Sequence, residues 1–226
     1  VRVAVTTTID RFGSIAATLE RHGIEPVRLP CIAIEPASDE ELDTIRALAA
    51  TADRILVTSP RTVRIVWPVS APAVPFLSVG AASSEAIRCV GGAVAVEGDG
   101  GAADLVAGLD VSGLRVVFPH AAGADPATVS TLREHGALAD ARVAYRSIPI
   151  GPDADEVDAV MFASPSAVEG WSLTRSLRGL TVVAIGATTA ASVEVHGGSV
   201  DLVPNRPGFA EMVEELHHGY ATGEVT

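Results

Sequence analysis

The sequence predicts an α/β protein of two similar lobes, on three observations. Short apolar runs such as Arg54-Ile55-Leu56-Val57 and Asp158-Ala159-Val160-Met161-Phe162 each lead into a segment with helical periodicity, the alternation expected of parallel sheets covered on both faces. The stretch Val183-Ala184-Ile185-Gly186-Ala187-Thr188-Thr189-Ala190 reads as a buried strand that turns tightly into a helix, with Thr188 or Thr189 at its cap. The chain contains that stretch twice, because Leu77-Ser78-Val79-Gly80-Ala81-Ala82-Ser83 lies 106 positions earlier, with Gly80 answering Gly186 and Ser83 answering Thr189.

The repeat runs well beyond this stretch. Arg115-Val116, the helix end Thr131 to Gly136, and Pro149 fall 113 positions after Arg2-Val3, Thr18 to Gly23, and Pro36. Asp53 to Pro60 recurs as Asp158 to Pro165 at an offset of 105, so the second copy is eight residues shorter in between. Val90-Gly91-Gly92 and His196-Gly197-Gly198 complete the correspondence. A duplication of this length favours two lobes over one large sheet.

The elements follow in order. Val1 to Val5 is a short strand, and Thr6-Thr7-Thr8 leads to a helix with Ile15 and Leu19 inward that ends at His22-Gly23, glycine being a natural residue just past a helix end. Val27 to Leu29 resumes as strand, and the segment between Pro30 and Pro36 is an extended connector. Ser38 and Glu41 form a capping box for a helix through Leu42, Ile45 and Leu48. After the strand Arg54 to Thr58, Ser59-Pro60 supplies a cap and a first-turn proline. Val94 to Val96 and Leu114 to Phe118 are strands separated by a helix through Leu105 and Leu109, and Val143 to Pro149 is extended like the earlier connector. Met212, Val213 and Leu216 form a core stripe, and His217 to Thr226, without periodicity, is expected to fray.

Composition excludes several functions. The chain has 226 residues, 48% of them hydrophobic, enough for sizeable cores. Its sixteen basic residues are all arginine, so Schiff-base chemistry on lysine and a Walker-type phosphate loop are excluded. A net charge of -12 argues against nucleic acid and anionic membranes as partners. No apolar run approaches the roughly 20 residues of a membrane helix, and the start resembles no signal peptide, so a cytoplasmic protein is expected. Cys31 and Cys89 lack metal spacing and are read as buried reduced thiols. No G-x-S-x-G elbow surrounds Ser59 or Ser164, no G-x-G-x-x-G follows the first strand, and the adjacent His217 and His218 make a poor metal pair. No metal is expected.

In open α/β sheets ligands sit beyond the carboxyl ends of the strands. The motifs there are Thr58-Ser59-Pro60, Gly80 to Ser83, Ser164-Pro165-Ser166, and Gly186-Ala187-Thr188-Thr189. Each combines helix N-terminal N–H groups with a hydroxyl, which makes it either a plain helix cap or a cradle for an anionic group. Four such cradles around a cleft between two lobes would suit a ligand with several carboxylates. Tyr145, one of two tyrosines, lies on the extended Val143 to Pro149 segment and is either a packed strand residue or a proton or hydrogen-bond donor.

Taken in order, Thr58-Ser59-Pro60, Val79-Gly80, Leu132 to Gly136, Val143-Ala144-Tyr145-Arg146, Ser164-Pro165-Ser166 and Ile185 to Ala190 resemble the uroporphyrinogen-III synthase family over nearly the whole chain. The resemblance implies two flavodoxin-like lobes joined by a two-stranded connector. Lobe one would comprise residues 1–32 with 149–226, lobe two residues 36–145, and the connectors would lie near 31–36 and 144–149. It further implies cyclisation of hydroxymethylbilane to uroporphyrinogen III with loss of water and inversion of the last pyrrole ring, by a monomer without cofactor. Tyr145 would assist departure of the hydroxyl. Thr58, Ser59, Gly80, Ser83, Ser164, Ser166, Gly186, Ala187, Thr188 and Thr189 would bind substrate.

The chain departs from the family where Thr6-Thr7-Thr8 stands in place of the usual Thr-Arg-Pro, and where an arginine expected after Pro119 is replaced around His120 to Asp125. Two other classes compete with a tetrapyrrole-forming lyase. One is a non-catalytic binding or regulatory protein of the same fold that kept the cradles and lost those arginines. The other is a hinged solute-binding receptor.

Overall fold

The computed structural model describes residues 1–225, and of Asp10 only the backbone. Its elements are β1 (Arg2–Val5), α1 (Ile9–Arg21), β2 (Glu25–Arg28) and β3 (Ile32–Pro36), followed by α2 (Asp39–Ala50), β4 (Arg54–Val57), α3 (Pro60–Val66) and β5 (Phe76–Val79). Then come α4 (Ala81–Cys89), β6 (Val94–Gly98), α5 (Ala102–Ala107), β7 (Arg115–Ala121), α6 (Ala127–Glu134) and β8 (Leu138–Pro149). The chain ends through β9 (Ala159–Phe162), α7 (Pro165–Ser172), β10 (Thr181–Ala184), α8 (Ala187–Val195) and α9 (Phe209–Thr222). It divides into unit 1, Val1–Ile34 with Ser147–Thr226, and unit 2, Glu35–Arg146. The chain passes from one unit to the other within β3 and within β8, two strands that neighbour one another in a sheet.

Unit 1 carries a parallel sheet in the order β10-β9-β1-β2, with Leu202 bridging Val183. Its strands alternate between two cores, as the two-residue side-chain period requires. Val3, Val5, Met161 and Val183 face Leu19, Met212 and Leu216, whereas Ala4, Val160, Phe162 and Val182 face Trp171 and Val193. Each fully buried side chain of this size contributes about 1.5–3 kcal/mol relative to exposure. Unit 2 carries the order β3-β8-β7-β4-β5-β6, and the β8-β7, β7-β4, β4-β5 and β5-β6 pairs are all parallel. One of its faces is filled by Leu56, Leu77, Val116, Phe118 and Leu132.

Numbered from β1, unit 1 has the spatial order 2-1-3-4-5 of flavodoxin-like sheets. Numbered from β7, so does unit 2, with β8, β7, β4, β5 and β6 in those places. The duplicated halves are therefore crossed, since β1 and β2 join β9 and β10 while their copies β7 and β8 join β4 and β5. One contact repeats on both sides of the crossing. The Arg2 N–H donates to Asp158 Oδ2 (2.7 Å) in unit 1, and the Arg115 N–H donates to Asp53 Oδ2 (2.8 Å) in unit 2.

Four local expectations need correction. His217 onward is not frayed, because α9 continues to Thr222 with Leu216 and Gly219 buried, and Val225 returns onto the core; Thr226 lies outside the described residues. Leu216, Gly219 and Tyr220 continue the helical stripe at the three- and four-residue spacing that the short glycine- and histidine-rich tail obscured. Cys89 is exposed at the end of α4, while Cys31 is buried. The helix through Leu105 stops at Ala107, so Leu109 packs on the core from a turn. Finally, α8 is capped by Gly186 and not by Thr188 or Thr189. The capping box is formed as expected, with the Glu41 N–H on Ser38 Oγ (3.3 Å) and the Ser38 N–H on Glu41 Oε2 (3.0 Å).

Candidate active site

In unit 2 the switch of strand order falls between β7 and β4, where the loops leaving the two strands part in opposite directions and open a crevice. A cavity of about 500 Å³ lies there, within the range of small-molecule sites. Thr58 from the end of β4, Phe118 from β7, Tyr145 from β8 and Thr128 from α6 line it. Tyr145 is only 5% exposed, and its O–H donates to Ser59 Oγ at 3.4 Å, a long bond that leaves the phenol free to take a better acceptor. The Arg61 guanidinium carbon lies 5.9 Å from the centroid of the Tyr145 ring, at the outer limit of cation–π contact. Tyr145, Thr58 and Ser59 therefore come together, although the last is 86 positions from the tyrosine.

The four helix starts separate into two kinds. Ser59 Oγ accepts the Arg61 N–H (3.2 Å), and Ser164 Oγ accepts the Ala167 N–H (3.3 Å). Each is followed by proline, which has no N–H, so these two are occupied caps. Ser166 adds its hydroxyl to Ser164, with Oγ···Oγ 3.0 Å. The starts of α4 and α8 are open, because Gly80 and Gly186 offer no side-chain cap. The first backbone N–H groups bonded back to these glycines are those of Ser83 (3.0 Å) and Thr189 (3.1 Å). That leaves the exposed Ala81 and Ala82, and likewise the exposed Ala187 and Thr188, with N–H groups for a ligand. Gly80 takes φ +78°, a left-handed backbone that favours glycine, whereas Gly186 is extended and the same turn is reached without it.

The hydroxyls at the third helical residue point inward instead. Ser83 is 2% and Thr189 3% exposed, so each start presents backbone N–H groups more than its buried hydroxyl. In unit 1 the loops after β9 and β10 are adjacent, which places Ser164 and Ser166 beside Gly186 to Thr188 on one sheet. The loop after β1, Thr6-Thr7-Thr8, is buried, and Thr6 Oγ1 donates to the Met161 carbonyl (2.6 Å). That bond ties β1 to β9 at the switch point of unit 1.

Sequence reasoning missed Asp104, Asp125 and Thr128 of the unit 2 cavity, together with the free N–H groups of Ala81 and Ala82. The available signal was the offset of 113, which makes β7 the counterpart of β1 and so marks the loop from Ala121 to Asp125 as a switch-point loop. A larger cavity, about 670 Å³, opens at the amino end of the unit 1 sheet, where the chain enters β9 and β10. Its Arg175 stacks on Trp171, 4.4 Å from the ring centroid, and donates to the carbonyls of Asp153 and Asp155. That arginine is committed to holding the loop, and the cavity lies away from the strand ends where the helix starts are. Among the described residues no cluster of three or more metal-ligating side chains occurs, and no helix is long and apolar enough to cross a membrane.

The fold and these helix starts define a duplicated flavodoxin-like α/β protein with open helix starts at the carboxyl ends of its strands. A family profile described as uroporphyrinogen-III synthase HemD matches residues 13–214. The chain therefore belongs to the uroporphyrinogen-III synthase family, cyclising lyases of tetrapyrrole biosynthesis. Among solved structures it is similar to uroporphyrinogen-III synthetase from Helicobacter pylori, at 14% identity and a TM-score of 0.62 over 94% of this chain and 96% of that one. A mutant uroporphyrinogen III synthase from the extremely thermophilic bacterium Thermus thermophilus is similar at 22% identity and a TM-score of 0.59, over 98% and 99% of the two chains. These likenesses share the fold. No curated protein sequence matches the chain.

Proposed function

We propose that the protein closes linear hydroxymethylbilane into uroporphyrinogen III, with loss of water and inversion of the last pyrrole ring, as a cytoplasmic monomer that uses no cofactor. The observation that carries this reading is Tyr145. It is a nearly buried phenol at the switch-point cavity of unit 2, held by one long hydrogen bond, on a chain of the synthase family.

The bilane's hydroxymethyl group ionises readily, so the protein's work is chiefly to select which ring carbon closes the macrocycle. Holding the reacting ends in one geometry does this. In this reading Tyr145 donates to the departing hydroxyl, with Ser59 orienting the phenol until the substrate oxygen replaces it as acceptor. Thr58 contacts the same part of the substrate. Acetate and propionate carboxylates take the free N–H groups at the starts of α4 and α8, so Gly80, Gly186, Ala187 and Thr188 serve through their backbone positions. Ser164 and Ser166 offer hydroxyls beside the α8 start, while the buried Ser83 and Thr189 shape the first turns.

The test is the isomer ratio of uroporphyrin, after oxidation, formed from freshly generated hydroxymethylbilane with and without the purified protein. Predominant isomer III is expected. Isomer I alone, the product of unassisted closure, would overturn the reading.

A further inference from the structure

The switch-point cavity of unit 2 has the wrong charge for a carboxylate arm. Among the described residues, Asp104 and Asp125 are the charged ones on its wall, and no arginine or histidine lines it. Arg61 lies over the Tyr145 ring but not on the cavity surface. Each aspartate spends one oxygen locally, since Asp104 Oδ2 accepts the Gly101 N–H (3.1 Å) and Asp125 Oδ1 accepts the Ala127 N–H (2.9 Å). The second oxygen of each makes no hydrogen bond among the described residues. An independent sign of a polar ligand is Thr128. It lines the cavity, is 5% exposed, and has a hydroxyl without a hydrogen-bond partner among the described residues.

We infer that Asp104 and Asp125 are catalytic residues that receive the N–H edge of the ionising pyrrole and hold its developing positive charge, while the carboxylate arms bind outside this cavity. The inference rests on the reading that Tyr145 assists hydroxyl departure. When the C–O bond breaks, its electron pair leaves with oxygen, and the phenol proton of Tyr145 completes a water molecule. The pyrrole nitrogen lone pair fills the vacancy at the methylene carbon, leaving a ring cation whose charge is shared by its N–H, beside a phenolate. Attack by the bridge-bearing carbon of the last ring forms a new C–C bond. Cleavage of the old bridge bond restores that ring's aromaticity and passes the cation to the neighbouring ring. Attack there by the last ring's unsubstituted carbon closes the macrocycle inverted, and the proton this carbon then loses returns to Tyr145. Fixed carboxylates beside the N–H favour this charge-separated state over the neutral substrate, the differential that raises turnover. Ground-state binding gains nothing from them, because the substrate itself is a polyanion.

The experiment is steady-state kinetics of Asp104→Asn, Asp125→Asn and the double variant on freshly generated hydroxymethylbilane, with Asp125→Glu and Tyr145→Phe in parallel. Asparagine keeps an oxygen for the local N–H, so thermal melting curves should match the parent. Each Asn variant is expected to lower kcat about tenfold with KM unchanged or lower, and Asp125→Glu to recover part of the loss. Unchanged kcat with a lower KM would overturn the inference by showing the carboxylates to be mere repulsion, and so would a raised KM with unchanged kcat. Slowed Tyr145→Phe beside unslowed Asn variants sinks this inference alone. Tyr145→Phe at parental kcat and KM sinks the reading of the site on which it rests.

Discussion

Two glycines inside helices respond oppositely to alanine, and the difference measures how tightly unit 1 is closed under α7. Gly13 lies in α1 with open space where a Cβ would go, so Gly13→Ala should stabilise by about 0.5–1 kcal/mol through helix propensity and lost unfolded-state freedom. Gly170 lies in α7, and a Cβ there would stand 2.0 Å from the Cys31 carbonyl oxygen and 2.7 Å from that of Ile150. Both obstacles are backbone, so relief requires α7 or the connector segment to move by more than an ångström. Such overpacking costs roughly 1–3 kcal/mol or more. The Ile150 N–H to Cys31 carbonyl bond (2.9 Å) lies in the path of that movement, and its disturbance adds about 0.5–1.5 kcal/mol. Set against a propensity gain near 1 kcal/mol, the net loss is about 0.5–3.5 kcal/mol, or roughly 1–14 °C in melting temperature for a protein of this size. Thermal unfolding followed by circular dichroism reads both variants. A Gly170→Ala protein as stable as the parent would refute the argument, since it would mean that α7 is not held against the connector at that distance.

Tyr145→Phe keeps the ring and loses one long hydrogen bond, so the fold should be unchanged. Turnover should fall about tenfold without being abolished, the scale of one hydrogen bond to a departing group; a folded variant with no activity at all would contradict this. Cysteine labelling with a maleimide at pH 8 should modify Cys89 quickly and leave Cys31 untouched until the protein is unfolded, with the products read by mass spectrometry. Burial pushes the Cys31 thiol up to about 12, partly opposed by Arg175, so its reactive thiolate is scarce as well as inaccessible; equal labelling of both would be the contrary result. At the start of α2, hydrogen bonds from the Ser38 hydroxyl and N–H hold the Glu41 carboxyl below its usual range. Its stabilising share is therefore present above the unfolded value and lost as pH falls through the lower folded one. Comparison of Glu41→Gln with the parent should show the difference in melting temperature shrink on acidification, and a constant difference would count against it.

The duplication, the strand and helix order and the glycine helix starts were legible because each rests on local pattern, and the fold followed from them. The crossing of the copies was less accessible to residue pattern, since each half-copy has the same local grammar and only long-range pairing says which half it joins. The site was partly legible for the same reason. Thr58, Ser59 and Tyr145 came from motif and resemblance, but the free groups at Ala81, Ala82 and Ala187 belong to the backbone, which sequence chemistry does not mark. Asp125 was visible only as part of a departure from the family. Its meaning depends on β7 lying beside β4, a neighbour 62 positions away in the register of Arg54 with Val116. The tail failed because histidines and a glycine interrupt the apolar count while Leu216, Gly219 and Tyr220 still share a helix face.

The eight-residue difference between the copies explains why Gly170 must be glycine. Between the matched segments, the first copy has room for α2, whereas the equivalent stretch before β9 in the second contains no helix. At the offset of 105, α7 corresponds to α3 and Gly170 to Ile65. In unit 2, α2 packs beside α3, and the equivalent position is an isoleucine. In unit 1 the shortened chain has no helix to interpose, and the backbone at Cys31 and Ile150 lies directly on α7, where only a residue without a Cβ is accommodated. The backbone flanking β3 and β8 in unit 1 thus rests on the helix whose first turn carries Ser164 and Ser166, and a Cβ at position 170 would push the two apart.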